Sequence, residues 1–561
     1  MLAETRNPSR GLLLLLAVAL VAAGCTGGGN RPTDGESAEP QAQGEPVEGG
    51  RVVFGQDQEP EILNQWLNAG NLQATAISMN TVLYPLWRIT PEFEYQPLLL
   101  DGEPEVTQDP FTITYKLRED AIWSDGTPIT VDDIEFTLDY ILDQAIEDIV
   151  SRDGYDKIDR KKTERVDDKT ITYHFNEPYA PYRDLFSVQP ILPKHALEGQ
   201  DRQTFLTDSV PVASGPFEFA SWTKGQNITV TRNERFWGDG PHLDEIVFRF
   251  IEDSNTQVQA LRGREVDLFY PQPQLELVEE LDKIDGVEYE VNAGPTWEHV
   301  DFNFAVKPLD QKFVRQGILQ GIDREAIAEQ LIAPMYPQAG VLQNVIYVNT
   351  QDQYEPHWDR WTFDPEAARK LFEENGCTED ADKIYVCNGT RLSFDYVTTA
   401  GNELRELQMQ IIQSQLKDIG VEVRPNLQEA AQAFGTTLIS GDKGAWGMFN
   451  FAWVGSPDPA SGNTIWMCKG GQNYNSYCNE DVTKLIAQTN TTIDVDQRAK
   501  LFNQADELMA EDALMAPLYQ KPTLLGWHDD LIGMKDNTTQ WGPTWNVEEW
   551  SRTKGDESES A

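Results

Sequence analysis

The six histidines of this chain, His174, His195, His242, His299, His357 and His528, are its scarcest general bases, and no two lie within four residues of each other. No local zinc pair is therefore evident, since such a pair sets its ligands about one helical turn apart. The G-x-S-x-G elbow, H-E-x-x-H and the phosphate loops G-x-x-x-x-G-K-[ST] and G-x-G-x-x-G are also absent from the sequence. A Ser-His-Asp triad can assemble in any chain order, but no local signature of one stands out. Paired carboxylates such as Asp132-Asp133 and Asp529-Asp530 recur, yet among 92 Asp and Glu most must be solvated surface. Catalysis, a metal centre and a cofactor are therefore not expected. The types that remain suit binding. Residues 447–462 read GMFNFAWVGSPDPASG, a strand of alternating size that ends in a Pro/Gly/Ser loop.

The N-terminus sets the compartment. Residues 1–10 carry Arg6 and Arg10, and residues 11–23 (GLLLLLAVALVAA) form an apolar run of signal-peptide length, short for a membrane span. Ala22-Ala23-Gly24-Cys25 follows and resembles the bacterial lipobox, in which Cys25 is lipidated and becomes the new N-terminus. Residues 1–24 are thus expected to be a lipoprotein signal peptide, leaving a protein anchored on the extracytoplasmic face of the bacterial membrane without spanning it. Residues 25–50 have no aromatic side chain and are rich in Gly, Pro, Glu and Gln, the composition of a flexible tether. Residues 551–561 are expected to be an acidic tail. Four further cysteines fall into two pairs spaced by ten, Cys377 with Cys387 and Cys468 with Cys478. An even count in an oxidising compartment points to two local disulfides, with free thiols or a metal as the alternatives. Trp466, just before Cys468, could belong to a wall stiffened by the second bridge.

Composition excludes some partners. Lys and Arg number 45 against those 92 acids, a net charge of −47 with no basic block, so a phosphate backbone would be repelled and nucleic acid is not a partner. A chain of 561 residues with 40 % hydrophobic content can bury several cores.

The elements that would position these residues mix strand and helix throughout. Residues 51–55 (RVVFG) begin the body as a strand; Phe111, Ile113, Tyr115 and Leu117 alternate with polar residues in another. Further strands are expected at residues 171–175, 246–250 and 421–423. Residues 130–143 read as a helix capped by Thr130, with Val131, Ile134, Leu138 and Ile141 on one face. Residues 363–376 carry Asp364 as cap, Pro365 at the first helical position and Gly376 past the end. Residues 403–419, with Leu404, Leu407, Ile411 and Leu416, and residues 495–511 complete the clear helices. Interleaved elements in both halves predict an α/β protein of at least two lobes.

Six segments in order resemble family 5 of the bacterial extracellular solute-binding proteins, the oligopeptide/dipeptide-binding family. The most specific is LREDAIWSDGTPITVDDIEFTLDYI at residues 117–141. The others are SGPF at 214–217, FWGDGPHLDEIVF at 236–248, ALRGREVDL at 260–268, residues 303–327, and the FDPEAARKLFEENG helix at 363–376. The resemblance implies a two-lobed clamshell of the type II periplasmic-binding-protein class, with an extra subdomain inserted in the N-terminal lobe. It places that lobe at 51–83, 210–303 and 522–550, the inserted subdomain at 84–209 and the second lobe at 304–521. It further implies an extracytoplasmic, monomeric binder of a small solute, a peptide first, working with ABC transporter permease subunits. In peptide-binding relatives an Asp three residues after the strand's Trp holds the ligand ammonium; here Ser456 occupies that place and Asp458 comes two residues later. Trp453, Ser456, Asp458 and Asn450 are thus expected ligand contacts from the second lobe. From the first, the contacts expected are Asn64 and Trp66, then Trp87 and Trp297.

Overall fold

The structure, a computed structural model, describes residues 46–553. The signal peptide, Cys25, the tether up to residue 45 and the tail from Lys554 lie outside the described residues. Among the described residues no helix is long and apolar enough to cross a membrane.

Ten strands form one continuous sheet. They are β1 (Arg51–Gln56), β2 (Phe217–Thr223), β3 (Asn227–Arg232), β4 (Glu245–Phe250), β5 (Leu268–Tyr270), β6 (Val287–Phe302), β7 (Ser393–Thr399), β8 (Glu422–Gln428), β9 (Met448–Val454) and β10 (Met515–His528). Their spatial order is β8-β7-β9-β6-β10-β5-β1-β4-β3-β2. β1 runs parallel to β4 and β5, and β7 runs parallel to β8 and β9. Between these groups β6 and β10, 16 and 14 residues long, pair antiparallel. They also connect two hydrophobic cores. Leu525 and Trp527 of β10 join the core built on Val52, Phe54, Trp123 and Trp550. Leu518 and Tyr519 of the same strand join the core built on Val300, Phe302, Tyr396 and Met448.

Local chemistry explains the helices. In α1 (Val131–Ile141) the Thr130 side chain caps the first turn while Asp133 bonds back to the Thr130 N–H at 2.9 Å, a reciprocal capping box. The turn before it holds because Gly126 takes φ +92° and Asp125 accepts the Thr127 N–H at 2.9 Å. α2 (Pro365–Glu374) starts at the Asp364 cap, whose carboxylate accepts the Ala367 N–H. α3 (Glu403–Asp418) buries Leu404, Ile412 and Leu416, but leaves Leu407 exposed. α4 (Val495–Glu511) completes the second core through Phe502, Ala505 and Met509.

Two expected boundaries move. Pro46–Val47, placed in the tether, pairs with Arg552 and Thr553, placed in the tail. The Gly50 N–H also binds the Asp244 carboxylate at 2.9 Å. Composition marked these segments as poor in apolar groups, but backbone pairing needs none. The cysteines join as Cys377–Cys387 and Cys468–Cys478.

Candidate functional site

Open α/β sheets gather ligands beyond the C-terminal ends of their parallel strands. β9 ends in that way: its last residues, Trp453 and Val454, give out into Gly455 and Ser456 at the mouth of a small pocket. Trp297 of β6 pairs directly opposite Trp453, so the two indoles project on the same side of the sheet. Trp466 stacks on Trp297 at 6.4 Å between ring centroids and 19° between planes. Behind Trp453, Tyr474 stacks at 6.2 Å and 12°, and Phe451 meets it edge-on at 5.1 Å. Tyr474 lies inside the loop closed by the Cys468–Cys478 bridge. Phe93, which packs on the first core, closes one side, and Val345, Ile346 and Val348 close another. The pocket therefore sits where the two cores meet. Its polar side chains are Gln351, Ser456 and Ser461 together with the indoles, and among the described residues no Asp, Glu, Lys, Arg or His lines it.

The 345–348 wall is held by side-chain acceptors rather than by a sheet. The Val345 N–H donates to Asp506 at 2.9 Å, and the Ile346 and Tyr347 N–H groups share Asn344 Oδ1 at 2.8 Å. Asp506, fully buried on α4, also contacts His357 Nδ1 at 2.7 Å and accepts the Trp358 indole N–H at 3.1 Å.

Ser456 turns back on its own loop, its hydroxyl donating to the Asp458 carbonyl at 2.6 Å. Asp458 caps the turn Pro459–Gly462 by accepting the Ala460 N–H at 3.0 Å, and its carboxylate pairs with the Arg498 guanidinium of α4. It does not line the pocket. The Asp458 N–H donates to the Tyr95 hydroxyl at 3.3 Å, and Tyr95 donates onward to Asp184. The other Asp184 oxygen is buried with no hydrogen-bond partner. Burial first, and then the Asp458 charge, push the Asp184 carboxyl well above the ordinary aspartate range. One backbone bond reinforces the meeting, from the Ala180 N–H to the Asn490 carbonyl at 2.7 Å.

A second polar group lies at the β6–β10 crossing. Glu298, fully buried, accepts Arg405 Nη2 at 2.8 Å and Asn450 Nδ2 at 3.2 Å. Lys521 donates to Gln272, which donates to Asp57 at 2.7 Å. Burial pulls the Lys521 ammonium down to about 8.

Of the expected contacts, the structure brings together Trp297, Trp453 and Ser456. Asp458 is adjacent but engaged elsewhere. Asn450 points at Glu298 and at the His299 carbonyl, 2.9 Å away, not at the pocket. Asn64, Trp66 and Trp87 lie in the core and do not line this pocket. The Asn64 amide ties Tyr140 at 3.0 Å and Phe205 at 3.3 Å, and the Trp66 indole N–H ties Pro190 at 2.8 Å. Trp87 is wholly buried edge-on to Tyr95 at 6.3 Å. Core packing takes all three, because their strand and loop positions face inward. Phe93 and residues 345–351 were not foreseen; the apolar VIYV run at 345–348 was their one local signal.

The family model described as "Bacterial extracellular solute-binding proteins, family 5 Middle" matches residues 94–475. The oligopeptide-binding protein OppA of Mycobacterium tuberculosis is 27 % identical over 92 % of this chain and 90 % of its own length. The structure of the periplasmic EDTA-binding protein EppA superposes with a TM-score of 0.86 at 25 % identity, covering 93 % of this chain and all (100 %) of that one. That of the oligopeptide-binding protein AppA from Bacillus subtilis, in complex with a nonapeptide, gives 0.81 at 22 %, covering 91 % of this chain and 100 % of that one. The fold is the type II periplasmic-binding-protein fold.

Proposed function

This chain belongs to the bacterial extracellular solute-binding proteins of family 5, binding proteins and not enzymes, and from that premise we propose that it captures a peptide by lobe closure and delivers it to an ABC importer. The observation that carries the reading is the pocket at the end of β9, walled from one core by Phe93 and from the other by Trp297, Trp453 and Trp466. A ligand there touches both bodies only when they are together, so its binding energy shifts the population toward closure. β6 and β10 are the hinge strands, with the moving bodies at 51–83, 210–303 and 522–550 on one side and 304–521 on the other. The segment 84–209 rides on the first body. Trp297, Trp453 and Ser456 contact the ligand. The mature chain is a monomer held to the membrane by lipid on Cys25, and closed protein is what the permease subunits engage.

OppA of Mycobacterium tuberculosis is named for oligopeptides, and EppA for EDTA. The uncharged lining favours the first over the second, since four carboxylates would find no counter-charge in it. A thermal-shift screen of purified protein against di- to hexapeptides, free amino acids, oligosaccharides, nickel–histidine and EDTA tests the reading. Ligand at a hundred times its Kd adds about 2.7 kcal/mol to stability. Peptides should raise the melting temperature; a response confined to sugars or chelates would replace the ligand while leaving the fold and the closure mechanism in place.

A further inference from the structure

We propose that the group this pocket seats is uncharged and apolar, with an aromatic ring as its best occupant. This deepens the peptide reading and rests on it for the remainder of the ligand. In a chain of net charge −47, a ligand cleft free of carboxylates departs from what the composition alone would put there. Two acids behind its walls are already matched inside the protein. Asp458 is paired with Arg498, both side chains being little exposed at 14 % and 10 %. Asp506 is shared between His357, the Trp358 indole and the Val345 N–H. An ammonium entering the slot would have to take a carboxylate from a bound guanidinium, and a carboxylate would face indole planes and carbonyl-rich loops. Both lose their hydration without a charge partner in return.

What the slot does offer is an aromatic wall, in which Trp453 is half-buried while Trp297 and Trp466 are nearly buried against each other. The indoles of Trp297 and Trp453 are each backed by a parallel ring, Trp466 and Tyr474, so the faces are fixed before the ligand arrives and little side-chain entropy is lost. The Trp453 indole N–H is buried without an acceptor, and Ser456, Ser461 and Gln351 complete a small set of neutral polar groups. These suit an amide beside the ring, not an ion.

Three probes that share one ring separate the cases: indole-3-acetamide, neutral; tryptamine, cationic; and indole-3-acetate, anionic. Ligand-observed NMR with the purified full chain should give indole-3-acetamide an affinity at least tenfold above either charged probe. Ser461→Asp, a change at an exposed position on the pocket rim, should reverse the preference toward tryptamine. Trp466→Ala should weaken the amide tenfold or more. If that variant does not fold, the Ser461→Asp reversal carries the test alone. Equal or tighter binding of tryptamine or indole-3-acetate to the unaltered protein overturns the proposal. So does the absence of binding by all three at millimolar concentration. Peptides that fail the thermal screen while the amide binds would remove the peptide reading and keep this one. Peptides that bind equally well whether their side chains are aromatic, acidic or basic would do the opposite.

Discussion

Asp184→Asn is the most informative single change outside the pocket. Asp184 meets Asp458 and Arg498 across the junction of the two bodies, with Tyr95, Tyr155, Tyr179 and Asp153 around it on its own side. Arg498 pairs with Asp458, while among the described residues one Asp184 oxygen is buried without a hydrogen-bond partner. In a separated state Asp184 loses the Asp458 charge and the burial that the other body supplies, so its pKa falls back toward the ordinary aspartate range. Its closed-state value is raised, by burial first and by Asp458 second, so closing takes up a proton. The sign follows: the closed form is fully favoured below the ordinary value, and that advantage is lost as pH rises through the raised one. Between the two values each pH unit changes the closure equilibrium by up to tenfold, about 1.4 kcal/mol. Ligand affinity should therefore weaken as pH rises above the ordinary aspartate range in the parent protein, read by calorimetry with a ligand found in the screen. Asp184→Asn should flatten that dependence and bind more tightly than the parent at the alkaline end. Tyr95→Phe removes a hydrogen bond that lowers the Asp184 pKa, so its transition should move to higher pH. Identical pH profiles for parent and Asp184→Asn, or affinity that strengthens with rising pH, would refute the reasoning.

Other consequences concern stability and the pocket wall. Glu298→Ala strands the Arg405 guanidinium in a buried site and should cost about 3–5 kcal/mol in denaturant unfolding. Burial pushes Glu298 up, but the Arg405 and Lys521 charges outweigh it and hold the carboxyl below the usual range. Its contribution to stability should thus be present above the ordinary glutamate pKa and lost on acidification through the lowered value. Asp506→Asn weakens the acceptor that fixes Val345, His357 and Trp358, and should cost about 2–3 kcal/mol while loosening ligand binding through the 345–348 wall. Replacing Cys468 and Cys478 together by Ser opens a loop of ten-residue separation. Loop entropy puts the loss at about 2.5–3 kcal/mol, and affinity should fall as Tyr474 is freed from behind Trp453. Unchanged affinity in that double variant would show that the stacked tyrosine is not supported by the bridge.

Much of the architecture was legible in the chain because its signals are local. The Thr130 and Asp364 caps, Pro365, and the glycines at 126 and 376 act within a turn of themselves, and the helices and strands formed where they point. The family segments carry that same turn and cap chemistry, so they identified the fold without touching a ligand. Trp453 was also readable, since it stands at the end of an apolar strand where an open α/β sheet binds. Its companions were not. Phe93 and Val345 converge on it from segments more than a hundred residues away, and no spacing in the sequence encodes that meeting. The same holds for Asn64, Trp66 and Trp87, whose types suit a cleft and a core equally well, and only packing assigned them to the core. Charge is the sharpest contrast. The sequence by itself determined an α/β protein of extreme acidity, since periodicity, capping and composition are properties of neighbouring residues, while its binding role came through the resemblance of the family segments. That this acidic chain keeps its ligand pocket free of charge, and pairs Asp458 with Arg498 beside it, was decided by tertiary structure alone, because the cost of an ion depends on which distant groups surround it once water is gone.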